Sequence, residues 1–174
     1  NRYTLDALNR LTRVTQAGQT GGHAVREKRV DFAYAADSQW QTITRYQDLA
    51  GTKLVAASTF GYDGAARLQG LTHAQNATTL AGFSWTYDTV NRVQTFTDAL
   101  HAAESATYAY DDASQLTGAD RSGTASDETY SYDATGNRTN YSTVADNRLL
   151  SDGTYTYLYD NEGNRTLKYV DADS

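Results

Sequence analysis

Aspartate and arginine recur four residues apart in this chain, and a carboxylate beside a cation could act as an acid next to an electrophile. A catalytic site is normally built once, whereas this relation recurs, so we interpret it as structural. Asp is expected to organise a turn, while Arg stacks on a neighbouring Tyr or pairs with an acid, a contact worth about 0.5–1 kcal/mol at an exposed site. No catalytic residue and no enzyme activity are therefore predicted. The relation joins Asp6 to Arg10, Asp63 to Arg67 and Asp88 to Arg92.

Other side chains capable of chemistry give weaker signals. The three histidines, His23, His73 and His101, fall in regions that we interpret as variable loops, and none has a second histidine at metal-ligand spacing. The chain contains no Cys, which excludes a disulfide framework and a thiol nucleophile. The acidic turns near Asp111 and at 160–163 could offer oxygens to Ca²⁺, but neither has the twelve-residue EF-hand spacing. We expect no metal ion and no cofactor.

Four Asn residues match the Asn-x-Ser/Thr rule for N-glycosylation. In a chain rich in Asn and Thr such matches arise easily, and two of them lie in a recurring Gly-Asn-Arg-Thr turn. The sequence leaves open whether these residues carry glycans. They are Asn76, Asn137, Asn140 and Asn164.

The composition indicates an all-β protein. The 174 residues include 14 Tyr, 4 Phe and 2 Trp, and Tyr, like the abundant Thr, is a strand former. Proline is absent, as fits a sheet in which most backbone amides donate to neighbouring strands. The formal net charge of -6 argues against a nucleic-acid partner, which requires clustered Lys and Arg. No apolar run is long enough to predict a transmembrane segment.

One short pattern recurs along the whole chain: an aromatic residue, any residue, Tyr, Asp, a turn and then Arg. Its second aromatic position, which is Leu5 in the first copy, recurs at intervals of 22 to 29 residues. A degenerate copy at 32–35 lacks the adjacent Asp, and Gln115 replaces Arg in another copy. The aromatic positions are Tyr3, Phe32, Tyr34, Phe60, Tyr62, Trp85, Tyr87, Tyr108, Tyr110, Tyr130, Tyr132, Tyr157 and Tyr159. The turn positions are Asp6, Arg10, Asp63, Arg67, Asp88, Arg92, Asp111, Asp133, Arg138, Asp160 and Arg165.

Each copy predicts one β-hairpin. Two aromatic residues separated by one residue point to the same face of a strand, and the Asp, Gly and Asn that follow are typical of a reverse turn. Because a lone hairpin is marginal in water, the aromatic rows are expected to stack neighbouring hairpins together. The predicted fold class is all-β, with consecutive antiparallel β-hairpins in one continuous twisted or coiled sheet. We expect a single array of about seven hairpins over residues 1–174.

The segments Tyr132-Asp133-Ala134-Thr135-Gly136-Asn137-Arg138 and Tyr159-Asp160-Asn161-Glu162-Gly163-Asn164-Arg165 resemble the YD-repeat (RHS-repeat) family of bacterial type. Residues 147–157 are similar to the join between successive bacterial repeats. The resemblance covers essentially the whole chain. It implies a strip of hairpins that coils into a hollow shell, as in bacterial polymorphic toxins, the cocoon-forming subunits of insecticidal toxin complexes and the teneurins. In the toxins this shell encloses a cytotoxic segment.

Two kinds of function fit these features. We favour a non-enzymatic structural protein, the building block of an extracellular or cell-surface assembly, a filament or shell made by end-to-end stacking of hairpins. Its partners would be copies of itself or further YD repeats of the same chain, and the chain would be a fragment or processed piece of a longer one. One alternative is a carbohydrate- or protein-binding module, with glycans as partners and with Tyr46 as an aromatic residue outside the repeat register. The other alternative is part of an RHS shell that encapsulates a toxin.

Overall fold

The computed structural model describes residues 1–22, 25–123, 127–144 and 147–170. Within these ranges the regular structure consists of β-strands and one 3-10 turn, Ala102–Glu104. No helix in the described part of the chain is long and apolar enough to span a membrane. The strands are β1 (Arg2–Leu5), β2 (Leu11–Gln16), β3 (Lys28–Tyr34), β4 (Trp40–Tyr46), β5 (Leu54–Tyr62), β6 (Leu68–Gln75), β7 (Thr78–Tyr87), β8 (Val93–Asp98), β9 (Ala106–Tyr110), β10 (Leu116–Arg121), β11 (Glu128–Thr129), β12 (Ser142–Thr143), β13 (Leu149–Ser151), β14 (Tyr155–Tyr159) and β15 (Arg165–Val170).

The chain divides into two compact units, one formed by Asn1–Thr107 with Arg121–Ala125 and the other by Tyr108–Asp120 with Ser126–Ser174. In the first unit, β1 to β8 lie side by side in chain order, each antiparallel to the next. In the second unit, β10 pairs with β11, and β12 to β15 form a four-stranded antiparallel sheet, again in chain order. The prediction of an all-β chain of consecutive antiparallel hairpins is confirmed.

A register shift marks the turn end of the hairpins. In the β5–β6 hairpin, Gly61 lies opposite Gly70, but Tyr62 lies opposite Leu68, so that Gln69 has no residue opposite it. Such a β-bulge increases the local twist and bends the strand. The same shift occurs before the turns that follow Leu5, Tyr34, Tyr87 and Tyr159.

Few hydrophobic side chains are fully buried. Among the described residues they are Ala106, Ala119 and Tyr157, with 3%, 4% and 7% of their surface exposed. In the first unit, most aromatic and aliphatic residues of β3 to β8 are half-buried, because side chains on a sheet are covered mainly by their cross-strand neighbours. The hairpins therefore depend on contacts along the sheet more than on a deep core.

The sixth copy of the repeat departs from a regular hairpin. Its Tyr130 and Tyr132 follow β11 outside the named strands, and an isolated bridge joins Tyr132 to Arg138. The turn is nevertheless present, since the amide of Asp133 donates to the carbonyl of Asn137 at 2.9 Å. The turn chemistry thus persists where the strand pairing is reduced.

Candidate functional site

The recurring Asp opens a reverse turn of fixed geometry. In the first copy, the amide of Asp6 donates to the carbonyl of Arg10 at 2.9 Å, and the amide of Asn9 donates to the carbonyl of Asp6 at 3.0 Å. Oδ1 of Asp6 accepts the amides of Leu8 and Arg10, both at 2.9 Å. One carboxylate oxygen thereby satisfies two backbone donors of the turn. The same pair of carboxylate contacts recurs at Asp63, Asp88, Asp133 and Asp160.

The fourth residue of each turn has a left-handed backbone. Asn9 and Asn91 have φ of 58° and 70°, while Gly136 and Gly163 both have φ of 85°. Gly and Asn adopt this conformation at the lowest cost, which explains their presence in these copies. The turn imposes the same conformation on Ala66, with φ of 63°. The hairpin geometry therefore overrides the local preference of the residue.

The second carboxylate oxygen binds the side chain at the fifth position of the turn. Asp6 Oδ2 accepts Nε of Arg10 at 2.7 Å. In another copy Gln115 holds the Arg position, and its Nε2 donates to Asp111 Oδ2 at 3.1 Å. The other Arg copies join Arg67 to Asp63 at 2.7 Å and Arg92 to Asp88 at 2.6 Å.

Two copies place Asn instead of Arg at the fifth position. Asn137 donates Nδ2 to Asp133 Oδ2 at 3.2 Å, and Asn164 donates Nδ2 to Asp160 Oδ2 at 3.0 Å. Arg138 and Arg165, which the sequence groups with these Asp residues, lie one position further along the chain. The guanidinium of Arg138 lies over aromatic rings, 3.9 Å from the ring centre of Tyr130. Asp and Arg therefore come together in three copies, and Asp and Asn in these two.

These hydrogen bonds lower the pKa of the turn carboxylates. The backbone amide of Arg10 has the largest effect on the pKa of Asp6, and the side chain of Arg67 has the largest effect on that of Asp63. At Asp88, burial raises the pKa, and the hydrogen bonds from Arg92 and Val90 outweigh it. The side chain of Thr135 and the amide of Asn137 lower the pKa of Asp133 to about 2. Carboxylates that are ionised at neutral pH and bound at both oxygens are poorly suited to proton transfer, so the arrangement serves structure.

The side chain at the fifth position also contacts the following turn. Arg67 Nη1 donates to Oδ1 of Asn91, the left-handed residue of the next turn, at 2.6 Å. A row of such hydrogen bonds joins successive turns within each unit, and we name it the turn ladder. Its other members run from Arg10 to Ser38 at 3.0 Å, from Gln39 to Ala66 at 2.8 Å and from Asn137 to Asn147 at 3.0 Å.

The second aromatic residue of a copy bonds to the preceding copy. Tyr87 Oη donates to the carbonyl of Leu68 at 2.7 Å, and the guanidinium of Arg67 lies over the Tyr87 ring, 4.5 Å from its centre. We name this pair of contacts the inter-repeat tyrosine contact. At Arg67, and likewise at Arg10, it holds the guanidinium between the Asp of its own turn and the next Tyr. It recurs at Tyr34 with Leu11 and Arg10, and at Tyr159 with Leu149 and Arg148. Tyr132 makes the hydrogen-bond part of the contact, with the carbonyl of Leu116.

Several aromatic rings pack within their own hairpin. Trp40 in β4 stacks on Tyr34 with ring centres 4.5 Å apart and lies 5.4 Å from Phe32. Trp85 in β7 lies 5.9 Å from Phe96 in β8. Rings thus hold the two strands of a hairpin together, while Tyr hydroxyls and Arg join one hairpin to the next.

The remaining aromatic positions differ in their surroundings. Tyr157 Oη donates to Asp152 Oδ2 at 2.5 Å, which raises the pKa of Tyr157 to about 12. Tyr3 in β1 is 62% exposed. Tyr130 donates its hydroxyl to Glu128. Phe60 and Tyr62 lie in β5, and Tyr108 and Tyr110 lie in β9.

The prediction that all three histidines lie in loops is wrong for His73. Strand β6 extends to Gln75 because a short turn connects it to β7, and His73 therefore lies within the sheet, opposite Ser58. Its Nδ1 is 2.8 Å from Ser58 Oγ, which also accepts a hydrogen bond from Arg45. Ser58 is 1% exposed, so its hydroxyl is closed to a substrate.

The other candidate ligands also have structural surroundings. The amide of His101 donates to Asp98 after β8, and His23 lies outside the described residues. In the described ranges no three His, Cys, Asp or Glu side chains are grouped to hold a metal ion. Asn137 and Asn164 use Nδ2, the nitrogen that would carry a glycan, to bond the turn Asp. Asn76 and Asn140 are exposed.

One turn has Thr143 and Val144 where the pattern has Tyr and Asp, and it is therefore missing from the sequence pattern. The amide of Val144 donates to the carbonyl of Arg148 at 2.9 Å, and Asn147 has φ of 59°. Arg148 then donates to the carbonyl of Asp160 at 3.1 Å, in the next turn. The sequence signal that could have revealed this turn is Asn-Arg-Leu at 147–149, which repeats Asn-Arg-Leu at the end of the first turn, at 9–11.

Hairpins in chain order, joined through Asp-organised turns and inter-repeat tyrosine contacts, define a YD-repeat structural protein. The family model described as Teneurin YD-shell matches residues 27–173. The chain therefore belongs to the Teneurin YD-shell family, and it is a YD-shell repeat region, a structural part. Comparison with curated proteins gives no significant match.

Solved structures containing TccC3 are similar to this chain along nearly its whole length. The Tc holotoxin pore of Photorhabdus luminescens with a TccC3 mutation has a TM-score of 0.48 and 14% identity over 99% of this chain. TcdB2-TccC3-TEV has a TM-score of 0.49 and 14% identity over 96% of it. TcdB2-TccC3-Cdc42 has a TM-score of 0.45 and 17% identity over 98% of it. This chain spans 12% of the length of each of these chains.

Proposed function

We propose that this chain is a segment of the wall of a YD shell outside the cell or at its surface. Further YD hairpins of the same polypeptide would continue the sheet beyond the terminal strands, and the complete shell would enclose a cargo, such as the toxin segment of RHS proteins. Membership of the Teneurin YD-shell family supports this proposal. The observation that carries it is the exposed edge at the first and last strands.

Both terminal strands carry exposed apolar residues, and each lies at the end of its sheet in the described part of the chain. β1 lies at the end of its sheet, and all four of its residues are exposed, including Tyr3 at 62% and Leu5 at 54%. β15 lies at the end of the four-stranded sheet, where Leu167 is 49% and Val170 is 60% exposed. Exposed apolar edge strands favour pairing with a further strand.

The last hairpin also presents the acceptor position of the inter-repeat tyrosine contact. Arg165 lies opposite Tyr159, just as Leu68 lies opposite Tyr62. The carbonyl of Leu68 accepts the hydroxyl of Tyr87 from the next hairpin. The carbonyl of Arg165 is therefore in position to accept a tyrosine hydroxyl from a following hairpin.

A filament built from separate copies would use the same two edges. Family membership favours the shell, because repeats within one polypeptide are present at high effective concentration and occupy each edge before a second molecule can bind. The two arrangements predict different results. A shell wall predicts that a hairpin added to the same polypeptide pairs with the edge strand, whereas a filament predicts that the unmodified chain assembles into regular fibres.

The test adds a copy of residues 54–77, which contains β5, β6 and the short turn after them, ahead of Asn1. We expect the amides of β1 to become protected in hydrogen exchange, because the added β6 pairs with them. The matched control carries Leu71→Pro and His73→Pro in the added copy only, which removes strand donors and leaves the length unchanged. Equal exchange of β1 in the two fusions would contradict the shell proposal. Regular filaments of the unmodified chain in negative-stain micrographs would favour the filament instead.

A further inference from the structure

A cleft at the loop end of β2 to β5 has a charge opposite to that of the chain. It has a volume of about 730 Å³, and its lining includes Arg26, Lys28, Arg29, Arg45 and Lys53. The lining contains one acid, Glu27. Five of the 15 Lys and Arg residues in a chain of net charge -6 thus surround one cleft.

Three nearby carboxylates, Glu27, Asp31 and Asp48, offset only part of this charge, since the lining holds five cations. Asp31 accepts hydrogen bonds from both Arg13 and Arg29, so these three side chains retain one net positive charge. Asp48 is 7% exposed and is bound by the backbone amides of Thr52 and Lys53.

Three cations at the cleft are exposed and carry no ion pair in the described part of the chain. They are Arg26, Lys28 and Lys53. Arg45, also exposed, donates Nη1 to the neutral hydroxyl of Ser58. Arg29 is different, because its guanidinium is bound to Asp31 and to the carbonyls of Leu49 and Ala50. Arg29 therefore holds the loop at residues 49–50 in place, and the exposed cations provide the positive electrostatic potential of the cleft.

The cleft also contains an apolar surface. Val25, Val30 and Val55 line it together with Tyr46, the aromatic residue outside the repeat register. Tyr46 lies opposite Arg29 and Val30 lies opposite Arg45, so the Tyr46 ring and the Val30 side chain point to opposite faces of the sheet. The Tyr46 ring is paired with the guanidinium of Arg29, 5.3 Å from its centre. An apolar lining with a few charged groups at its rim is the usual composition of a small-molecule site.

We propose that this cleft binds a small organic anion that has an aromatic or aliphatic body and a carboxylate, sulfonate, sulfate or phosphate group. The acidic group is attracted by Arg26, Lys28 and Lys53, and the apolar body covers Val30 and Val55. Electrostatic attraction from a cluster of cations is stronger than that of a single exposed cation, and added salt weakens it.

The test uses calorimetric titration of the whole chain with 2-naphthalenesulfonate, and with neutral 2-naphthylmethanol as the uncharged comparison. We expect saturable one-to-one binding of the sulfonate, with the alcohol bound at least about tenfold more weakly. The double variant Lys28→Gln/Lys53→Gln should weaken sulfonate binding by roughly tenfold and leave binding of the alcohol unchanged. Arg2→Gln removes an exposed cation that is not part of the lining and should leave both affinities unchanged.

A second measurement separates charge from general hydrophobic binding. Raising NaCl from about 0.05 M to about 0.5 M should weaken the sulfonate and leave the alcohol unaffected. Circular dichroism checks that each variant is folded, which exposed Lys→Gln changes should preserve. Equal affinity for sulfonate and alcohol, or full affinity in the double variant, would overturn the proposal. An equal loss in Arg2→Gln would do the same.

Discussion

The hydroxyl of Tyr87 offers a direct test of the contact that joins one repeat to the next. Tyr87→Phe removes the hydrogen bond to the carbonyl of Leu68 and keeps the ring beneath Arg67. A hydrogen bond of this kind contributes about 0.5–1.5 kcal/mol net, and the cost rises when the remaining partner is shielded from water. We expect the free energy of unfolding to fall by about 1 kcal/mol, which corresponds to roughly 2–4 °C in Tm for a chain of this length.

Tyr62 provides the matched control. It is half-buried at the same position of its repeat, but Gln39 and Trp40 replace Arg67 and Leu68 in the turn before it. Among the described residues the Tyr62 hydroxyl has no hydrogen-bond partner in the structure. Tyr62→Phe is therefore expected to change stability by less than about 0.5 kcal/mol.

The assay is urea and thermal denaturation followed by circular dichroism and by tryptophan fluorescence. Trp85 lies two residues from Tyr87 in β7 and reports locally on this part of the sheet. If Tyr87→Phe and Tyr62→Phe lower stability equally, the hydroxyl contact does not stabilise the repeats as we argue. If Tyr87→Phe has no effect, the same conclusion holds.

Three further predictions concern the turns and loops. Gly51→Ala should destabilise the chain by about 1–2 kcal/mol, because Gly51 has φ of 78° and an added Cβ would lie 2.7 Å from Arg29 Nη1. The control Gly64→Ala, where the space around the added Cβ is open, should be nearly neutral in the same denaturation assay. Arg67→Lys keeps the charge but loses the planar contact with the Tyr87 ring, worth about 0.5–1 kcal/mol at such a site, so its Tm should fall; an unchanged Tm would show that the guanidinium shape is unimportant. The pKa of Asp48, Asp133 and Asp152 is lowered to about 2, so the stability that they supply is present above their ordinary pKa of 3.8 and is lost as the pH falls through about 2. Tm should be level above about pH 5 and fall below about pH 4, and Asp48→Asn should reduce that fall; a constant Tm down to pH 2 would contradict the assignment.

The local part of the fold could be read from the sequence. An aromatic-x-Tyr step places two rings on one strand face, and Asp followed by Gly or Asn reverses the chain within five residues, because these preferences act between near neighbours. The regular recurrence of the pattern then indicates repeated hairpins. The turn closed by Val144 and Arg148 shows the limit of this interpretation, since backbone hydrogen bonds form a similar turn without Asp at its first position.

Strands, turns and their repetition follow from the sequence pattern, whereas contacts between distant side chains depend on how the strands pair. Tyr87 and Leu68 are 19 residues apart and Arg67 and Asn91 are 24 apart, so their contact depends on the bulge, the strand register and the length of the intervening loop. Strand pairing also places His73 within the sheet. It likewise brings the cations together around the cleft. A hydrogen bond requires a heavy-atom separation of about 3 Å, and a repeating pattern does not specify that distance until neighbouring strands are paired.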